Sequence, residues 1–500
     1  MHEAFASLTV EGAPTKLIAK RPPKPLDELP PEQKPDGDVT WIGGYWAWDD
    51  DRNDFLWVSG TWRVAPPGKS WIAGYWRETG DNWQWVPGFW TTASQDTNQE
   101  MTYLPNPPAP PAEAPPGQPP VAESFWVPGN WVWTGTTYGW RAGYWARVEP
   151  GYVWIPAHYS WTPGGYLFVA GYWDLAVRRR GILYAPVVVD PGAVTVSFSY
   201  TPACAVPDAL IVDTLFVRPA YCHYYFGDYY APAYRDLGFQ SAFVYSGNHY
   251  DAVIAYERYE RRADPTWLSV QINLFGRRSA GLAPVPPRTF VQNTTVVNNV
   301  TNVTNVTNNT NNITRNNVTN NNVTNNNTNN AITRNNTTTN NNVTNNTTNN
   351  KMVWNGPTLG TTTQVAAAQG VKTVPLNITA RRQVKQQAVA IQQVALQRTV
   401  NEAPRAGAVP NRPRTAALTV PKTGPPAFVG KPANGTAATG QANSRAITPA
   451  ANTPNHAMTR NAVSPAPRGA NNAAAHPNLP SVPVVHPAAP AARTNTVPPA

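Results

Sequence analysis

Three side chains in a tyrosine-rich stretch are of the types that hold metal ions or move protons. His223 and Asp228 lie in YCHYYFGDYY (221–230), and His249 follows further along the chain. A metal site needs three or four ligands that converge on one point, and this spacing does not show convergence. The alternative that these residues form packing hydrogen bonds is the more common situation. An enzyme that uses this stretch is therefore a secondary hypothesis, and it requires the three residues to share one pocket.

No hydrolase motif, zinc-protease motif or phosphate-binding glycine loop occurs in the sequence. We therefore predict that the protein is not an enzyme and needs no cofactor or metal. Cys204 and Cys222 are its two cysteines. They could form one disulfide in an oxidising compartment or remain two buried thiols.

Tryptophan is the residue whose type and spacing stand out most. Eighteen of the 20 tryptophans lie between Trp41 and Trp173. Fourteen of these lie in eight hexapeptides of the pattern WxxGxW, of which the seventh is degenerate. The copies are WIGGYW (41–46), WVSGTW (57–62), WIAGYW (71–76), WVPGFW (85–90), WVPGNW (126–131), WRAGYW (140–145), WIPAHY (154–159) and FVAGYW (168–173).

The repeat period favours β-strands. Within each group of four, copies start 14 or 16 residues apart, and a proline-rich spacer separates the fourth and fifth starts by 41 residues, close to three periods. Aromatic and β-branched residues favour strands, and turn-forming residues lie between the hexapeptides. We predict one strand and one turn per period, which gives an antiparallel meander. Within a strand the glycine permits a kink. A competing interpretation makes Pro87-Gly88 a tight turn that pairs Trp85 with Trp90, although proline disfavours the first position of such a turn.

Three interpretations of the indoles remain open: the core of a small β fold, stacking platforms for sugars, and aromatic cages for a cationic group. Few acidic residues accompany the hexapeptides, which disfavours the cage. The platform hypothesis places a ligand against the last tryptophan of the copies, namely Trp46, Trp62, Trp76, Trp90, Trp131, Trp145 and Trp173.

The eight hexapeptides resemble the WxxGxW (YxWGxW) repeat family of bacterial proteins over residues 41–173. The degenerate copy has Ala157 in place of glycine and ends in Tyr159. The resemblance implies a protein of the cell envelope or one that is secreted, without an assigned activity. The first 20 residues contain no basic segment followed by an apolar one, so the sequence as given predicts no export signal. A start codon upstream of Met1 would reconcile the two.

The sequence predicts a mainly β fold in which two repeat blocks are joined to a small α+β module and to long low-complexity flanks. Expected strands in the module are 186–189, 194–200, 210–217 and 267–275, and its expected helix is 249–262. The predicted divisions are a Pro-rich linker (1–40), repeat block 1 (41–92), a Pro-rich spacer (93–124), repeat block 2 (125–180), the Tyr-rich module (181–290), an Asn/Thr tract (291–350), a linker with an isolated helix at 380–402 (351–402) and a disordered basic tail (403–500).

Charge and composition suggest partners for the flanks. Residues 291–500 carry 17 Lys or Arg against one acidic residue, Glu402, and such a tail attracts anionic polymers without specific nucleic-acid recognition. The Asn/Thr tract is a spacer or a stacked β segment, and the isolated helix could dock on a partner or unfold. No apolar run is long enough for a transmembrane helix. Cell-wall or surface glycans are the partners expected for the repeats.

Overall fold

The computed structural model of this 500-residue chain describes residues 1–9, 12–93, 98–189, 198–286, 358–404 and 412–420. The strands are β1 (Gln33–Pro35), β2 (Thr40–Ile42), β3 (Tyr45–Asp49), β4 (Asp54–Val58), β5 (Thr61–Arg63), β6 (Lys69–Ile72), β7 (Tyr75–Thr79), β8 (Asn82–Val86), β9 (Phe89–Thr92), β10 (Asn98–Leu104), β11 (Ser124–Val127), β12 (Asn130–Trp133), β13 (Tyr138–Arg141), β14 (Tyr144–Arg147), β15 (Tyr152–Ile155), β16 (His158–Thr162), β17 (Gly165–Val169), β18 (Tyr172–Leu175), β19 (Gly181–Tyr184), β20 (Ala205–Val206), β21 (Leu215–Arg218), β22 (His223–Phe226), β23 (Gln240–Ser241), β24 (Thr373–Pro375) and β25 (Arg414–Thr419). The helices are α1 (Asp208–Asp213), α2 (Pro232–Asp236), α3 (Ala242–Tyr245), α4 (Ala252–Glu260), α5 (Trp267–Ser279), α6 (Thr362–Ala368) and α7 (Ile378–Asn401).

The hexapeptides pair two by two into four antiparallel hairpins. The first hairpin is β2–β5, the second β6–β9, the third β11–β14 and the fourth β15–β18. In the first, Trp41 lies opposite Trp62 and Trp46 opposite Trp57. Their ring centroids are 5.1 and 5.3 Å apart in edge-to-face geometry, the arrangement that aromatic rings favour. The mainly β, antiparallel fold predicted from the repeat period is thus confirmed.

Each arm of a hairpin is interrupted at the glycine position of its hexapeptide. In the second hairpin, β8 ends at Val86 and β9 begins at Phe89, so Pro87 and Gly88 lie between two strand segments. Trp85 pairs with Trp76 and Trp90 with Trp71. The kinked strand is therefore the correct interpretation, and the tight turn at Pro87-Gly88 is wrong.

Segments outside the hairpins complete the sheets, and two of them correct the sequence analysis. Strand β10 lies in the predicted spacer and pairs with β17 and with β25, which lies in the predicted disordered tail. Strand β19 adds to β5 and continues through β20. Non-local pairing of this kind cannot be read from local composition.

Residues 1–40 do not form the predicted linker. Phe5 is 1 % exposed in one core cluster, and Leu26 lies in another. Ile18 forms a β-bridge with Trp83 of the second hairpin. Most described residues of this segment are at least partly buried, and it packs both against the hairpins and against later parts of the chain.

The Tyr-rich region is an α+β unit with more helix than predicted. The predicted helix at 249–262 is confirmed as α4. The predicted strand 210–217 contains the last four residues of helix α1 and the first three of β21, and 267–275 is the start of helix α5. Of the other two predicted strands, 186–189 forms only an isolated bridge from Val187 to Trp57, and 194–197 lie outside the described residues.

The helix predicted at 380–402 is confirmed as α7, but it is not isolated. Its buried stripe, Val384, Ala388, Ile391 and Val394, packs against the first and second hairpins and β25. The Asn/Thr tract at 291–350 and the tail beyond residue 420 lie outside the described residues.

Candidate functional site: the glycine kinks and a neighbouring aromatic groove

The kinks release backbone N–H groups from the sheet ladder, and buried groups of this kind need other partners. In the first hairpin the carboxylate of Glu28 accepts hydrogen bonds from Gly44 N (2.7 Å) and Gly60 N (3.0 Å). It also accepts one from the indole nitrogen of Trp57 at 3.1 Å. One carboxylate thus joins the two arms of the hairpin at the level of the kink.

The second hairpin repeats this arrangement with a different acid. Glu3 accepts hydrogen bonds from Gly88 N at 3.0 Å and from the indole nitrogen of Trp85 at 3.1 Å. Gly74 N, on the opposite arm, also interacts with this carboxylate. Trp85 holds the same position in its hairpin as Trp57 does in the first.

The third hairpin is closed by Glu113, which lies in the predicted spacer. Gly129 N and Gly143 N each donate to one of its carboxylate oxygens at 2.8 Å. Unlike Glu3 and Glu28, Glu113 is exposed. Three of the four hairpins therefore bind a glutamate through the same pair of glycine positions.

The same contacts explain why the hexapeptide needs glycine. A Cβ on Gly60 would lie 2.5 Å from Cζ2 of Trp41 and 2.8 Å from a carboxylate oxygen of Glu28. A Cβ on Gly143 would meet Trp126 and Glu113 at 2.5 and 2.9 Å. The glycine makes room for the first indole of the partner hexapeptide and for the bound acid.

The fourth hairpin tests this explanation within the same molecule. Its glycine positions are Ala157 and Gly171, and no carboxylate of the described residues hydrogen-bonds to them. The indole nitrogen of Trp154 is buried here and has no hydrogen-bond partner among the described residues.

Burial and hydrogen bonding act in opposite directions on the two buried acids. Burial raises the pKa of Glu28 and of Glu3 to about 7 each, and the glycine and indole N–H donors offset only part of that rise. Removing a carboxylate from water penalises its charged form, whereas N–H donors favour it. Both glutamates therefore titrate near neutral pH.

Helix α7 supplies partners for carbonyl groups freed at the kinks. Arg398 donates to the carbonyl oxygens of Ala73 (2.8 Å) and Pro87 (3.0 Å), which precede the two glycines of the second hairpin. Its guanidinium is fully buried and pairs with Glu402 at 2.7 Å. Gln392 donates to Gly44 O at 2.9 Å.

Two glutamate ligands share a sequence context that sequence analysis missed. Glu28 lies in PPKPLDELPP (22–31) and Glu113 in PPAPPAEAPP (107–116), so both segments fit the pattern PPxPxxExPP. Each glutamate precedes the first glycine of its hairpin by 16 residues. We call these two ten-residue segments the first and second straps.

Both straps also use the same indole contact. Trp46 donates to Lys24 O at 2.9 Å and Trp131 to Ala109 O at 3.4 Å, and each acceptor lies four residues before the glutamate. Proline-rich segments are commonly bound in this way, with their free carbonyls held by aromatic donors. Strap and hairpin together therefore form a unit that occurs twice in the chain.

The predicted sugar platforms divide into two groups. Trp46, Trp62 and Trp90 are 4, 1 and 3 % exposed and lie in the core, so their rings offer no open face to a ligand. Trp76, Trp131, Trp145 and Trp173 are only partly buried.

One of these partly buried indoles borders a large groove. A cavity of about 760 Å³ separates the third hairpin from α4 and is lined by Phe125, Trp126, Trp145, Tyr250, Arg258 and Arg262, among others. Of these, sequence analysis singled out Trp145 alone. The signal for the rest was weak, because Tyr250, Arg258 and Arg262 come from a helical segment far from the repeats.

The residues considered for an enzyme site have separate partners. His223 is buried 3.4 Å from Glu3 and 3.2 Å from the hydroxyl of Tyr45. His249 stacks on Tyr245 at the edge of the groove, and Asp228 accepts from Tyr230 N. The described residues contain no group of three His, Cys, Asp or Glu able to hold a metal. The shared pocket required by the enzyme hypothesis is not formed by these residues.

Cys204 and Cys222 are both buried and are not bonded to each other, so the possible disulfide is not formed in this structure. Burial raises the pKa of Cys222 to about 12. Among the helices that the structure describes, none is sufficiently long and apolar to span a membrane.

The paired, kinked, tryptophan-lined hairpins define a β-repeat protein. The family described as WXXGXW repeat (2 copies) matches residues 38–63, 71–91 and 150–173, so the chain contains WXXGXW repeats. These segments cover the first hairpin and most of the second and fourth. The third hairpin lies outside the match, although it contains both of its hexapeptides. No curated protein and no solved structure matches the chain.

Proposed function

We propose that this protein is a non-enzymatic structural or adhesive component of the bacterial cell envelope. The proposal rests on one observation: the glycine kinks of the repeats bind glutamates of the same chain. The N–H groups freed at the kinks therefore join segments that are far apart in sequence. Arg63 of the first hairpin and Asp174 of the fourth, which pair at 2.5 Å with both side chains buried, extend this cross-linking.

The basic tail provides the adhesive part of this proposal. Residues 421–500 contain basic residues and no acidic ones, which favours contact with anionic envelope polymers. Fractionation of cells that carry the tagged chain tests the location. We expect the protein in the envelope fraction and accessible to added protease; recovery from the cytosol with Met1 as first residue would contradict it.

Glycan binding is the second candidate function, and the groove beside the third hairpin favours it. Flat aromatic faces suit the C–H faces of sugars, and ligand sites combine such surfaces with a few polar groups. Here Trp126 and Trp145 lie near Arg258 and Arg262. The binding site would thus be one groove between the third hairpin and α4, instead of a series of seven indoles.

Titration of the protein with cell-wall glycan fragments, followed by tryptophan fluorescence, tests this candidate. We expect saturable binding that weakens at least tenfold in Trp145→Ala. Trp161→Ala is the matched control, because Trp161 is also partly buried but does not line the groove. Equal losses in both variants, or no binding by a folded protein, would contradict glycan recognition in the groove.

A further inference from the structure

We propose that the third hairpin is a binding site for proline-rich segments that carry a glutamate in the pattern PPxPxxExPP, and that the strap of a second copy of this chain can occupy it. The hairpin then recognises a peptide in trans as it now binds its own strap in cis. This proposal does not depend on where the protein is located.

The contacts between a strap and its hairpin depend on the chemical groups of the strap and not on its covalent connection to the hairpin. Two straps with little similarity outside the pattern bind their hairpins through the same contacts: two glycine N–H groups on the carboxylate and an indole N–H on a carbonyl. Hydrogen bonds to a charged acceptor are stronger than neutral ones. A proline-rich segment also loses little conformational entropy on binding because it is already extended.

Of the two straps, only the second can be exchanged for the strap of another copy. The first strap is covered by α7: Arg381 donates to Pro30 O at 2.8 Å, and Lys385 pairs with Asp27. In the second strap every residue except Pro107 is exposed. It can leave its hairpin without disturbing the core.

Few hydrogen bonds hold the second strap on its hairpin. Besides Glu113 and the 3.4 Å contact to Trp131, the neighbouring Pro105 O accepts from the hydroxyl of Tyr138 at 2.6 Å. These contacts are few, and the segment buries little apolar surface. The covalent link gives the resident strap a high local concentration at its own hairpin, which favours binding in cis. A competing segment therefore binds only when it is abundant or when the resident strap binds more weakly.

A second copy of the chain is the occupant that the structure supports. It carries the same strap, with the glutamate and prolines in the correct order and an exposed surface. Exchange between two copies replaces each hydrogen bond made in cis with an identical one made in trans. The unit so formed is a strap-exchanged dimer.

A labelled synthetic peptide of residues 105–118 tests recognition in trans. Glu113→Ala in the full-length chain weakens the resident strap and leaves the hairpin unchanged. By fluorescence anisotropy we expect saturable binding of the peptide to this variant, at least tenfold tighter than binding of the same peptide with Gln in place of its glutamate. Hydrogen bonds to a charged group of about 1.5–3 kcal/mol correspond to such a factor.

Glu123→Ala is the matched control, because Glu123 is an exposed glutamate of the same spacer and the two glycine N–H groups of the third hairpin donate to Glu113 instead. Its resident strap remains bound, so the peptide should bind it at least tenfold more weakly than it binds Glu113→Ala. If the two peptides bind Glu113→Ala with equal affinity, or if the glutamate peptide binds the two variants with equal affinity, the proposed binding site is wrong.

Sedimentation velocity over increasing concentration tests the second copy as occupant. We expect wild type and Glu123→Ala to form dimers at high concentration and Glu113→Ala to remain monomeric. A wild-type chain that is monomeric throughout, or a dimer that Glu113→Ala does not reduce, would overturn exchange between copies.

Discussion

At the scale of single residues, the glycine of the hexapeptide is a packing requirement and not a source of flexibility. Gly60 shows this clearly, because its missing Cβ is the space occupied by the edge of Trp41 and by Glu28. We expect Gly60→Ala to lower the free energy of unfolding by about 1–3 kcal/mol through overpacking. Urea denaturation measures the change.

Gly276 is the control glycine for that prediction. It lies in helix α5, and a Cβ added there meets no atom within 4 Å. Gly276→Ala should stabilise the protein by about 0.5–1 kcal/mol, because alanine is the better helix former. If both variants lose equal stability, the packing explanation for the glycine of the hexapeptide is wrong.

The buried Glu28 of the first hairpin makes stability depend on pH. Glu28 has a pKa raised to about 7 in the folded protein against a usual value of 4.5. Between these values Glu28 keeps a proton in the folded state that it loses in the unfolded state, so its contribution to stability falls as pH rises from about 4.5 to about 7 and then levels off. Glu28→Gln should remove this contribution, so its melting temperature relative to wild type should rise from about pH 4.5 to about pH 7 and then stay level to about pH 8.

Glu78→Gln is the control, since Glu78 is an exposed glutamate of β7. It should leave the pH dependence of stability unchanged. Other buried groups keep their own pH dependence in Glu28→Gln. Glu3 and Asp251, with pKa values raised to about 7 and about 6, act in the same direction as Glu28. Burial lowers the pKa values of His2 and His223 to about 3 and about 4, so these two residues act in the opposite direction. A difference in melting temperature between Glu28→Gln and wild type that does not change with pH would contradict a raised pKa of Glu28.

At the scale of elements, the exposure of side chains along helix α7 shows that the helix packs on the hairpins. Ile391 is 2 % exposed against the hairpins, whereas Leu396 on the same helix is 67 % exposed. We expect Ile391→Ala to cost about 2–5 kcal/mol by leaving a cavity and Leu396→Ala to cost less than about 0.5 kcal/mol. Thermal unfolding of both variants, followed by near-ultraviolet circular dichroism, compares them; equal small costs would show a helix that does not pack.

The sequence predicted those elements whose signal is local. The fourteen-residue period, the turn clusters and the alternating bulky residues are enough to place the hairpins, and helical spacing is enough to place α4 and α7. The error at 267–275 arose because a short apolar segment fits both periods; Leu268, Ile272 and Phe275 in fact follow the helical one.

The glutamates bound at the kinks were missed for a different reason. A glutamate among prolines usually lies in solvent, and nothing near Glu28 indicates two N–H donors from residues further along the chain. The internal repeat PPxPxxExPP was the available signal. The strap pattern is short and its two copies share few other residues, so it becomes visible only once both glutamates are seen to bind equivalent glycines.

At the scale of the whole molecule, buried ion pairs join parts of the chain that the sequence separates into blocks. Asp174 of the fourth hairpin accepts from Arg63 of the first at 2.5 Å and lies 3.2 Å from Arg180. All three side chains are buried. The blocks therefore belong to a single core and not to two independent repeat domains joined by a spacer.

Asp174→Asn tests this joining. Because it leaves two buried guanidinium groups without their carboxylate, we expect a loss of about 3–5 kcal/mol. The loss should appear as one cooperative shift of the unfolding curve, with tryptophan fluorescence and far-ultraviolet circular dichroism giving the same midpoint. The control Lys20→Met, which removes an exposed ion pair with Asp54, should cost less than about 1 kcal/mol. Two separate transitions in Asp174→Asn, with the hairpins of one block unfolding first, would contradict a common core.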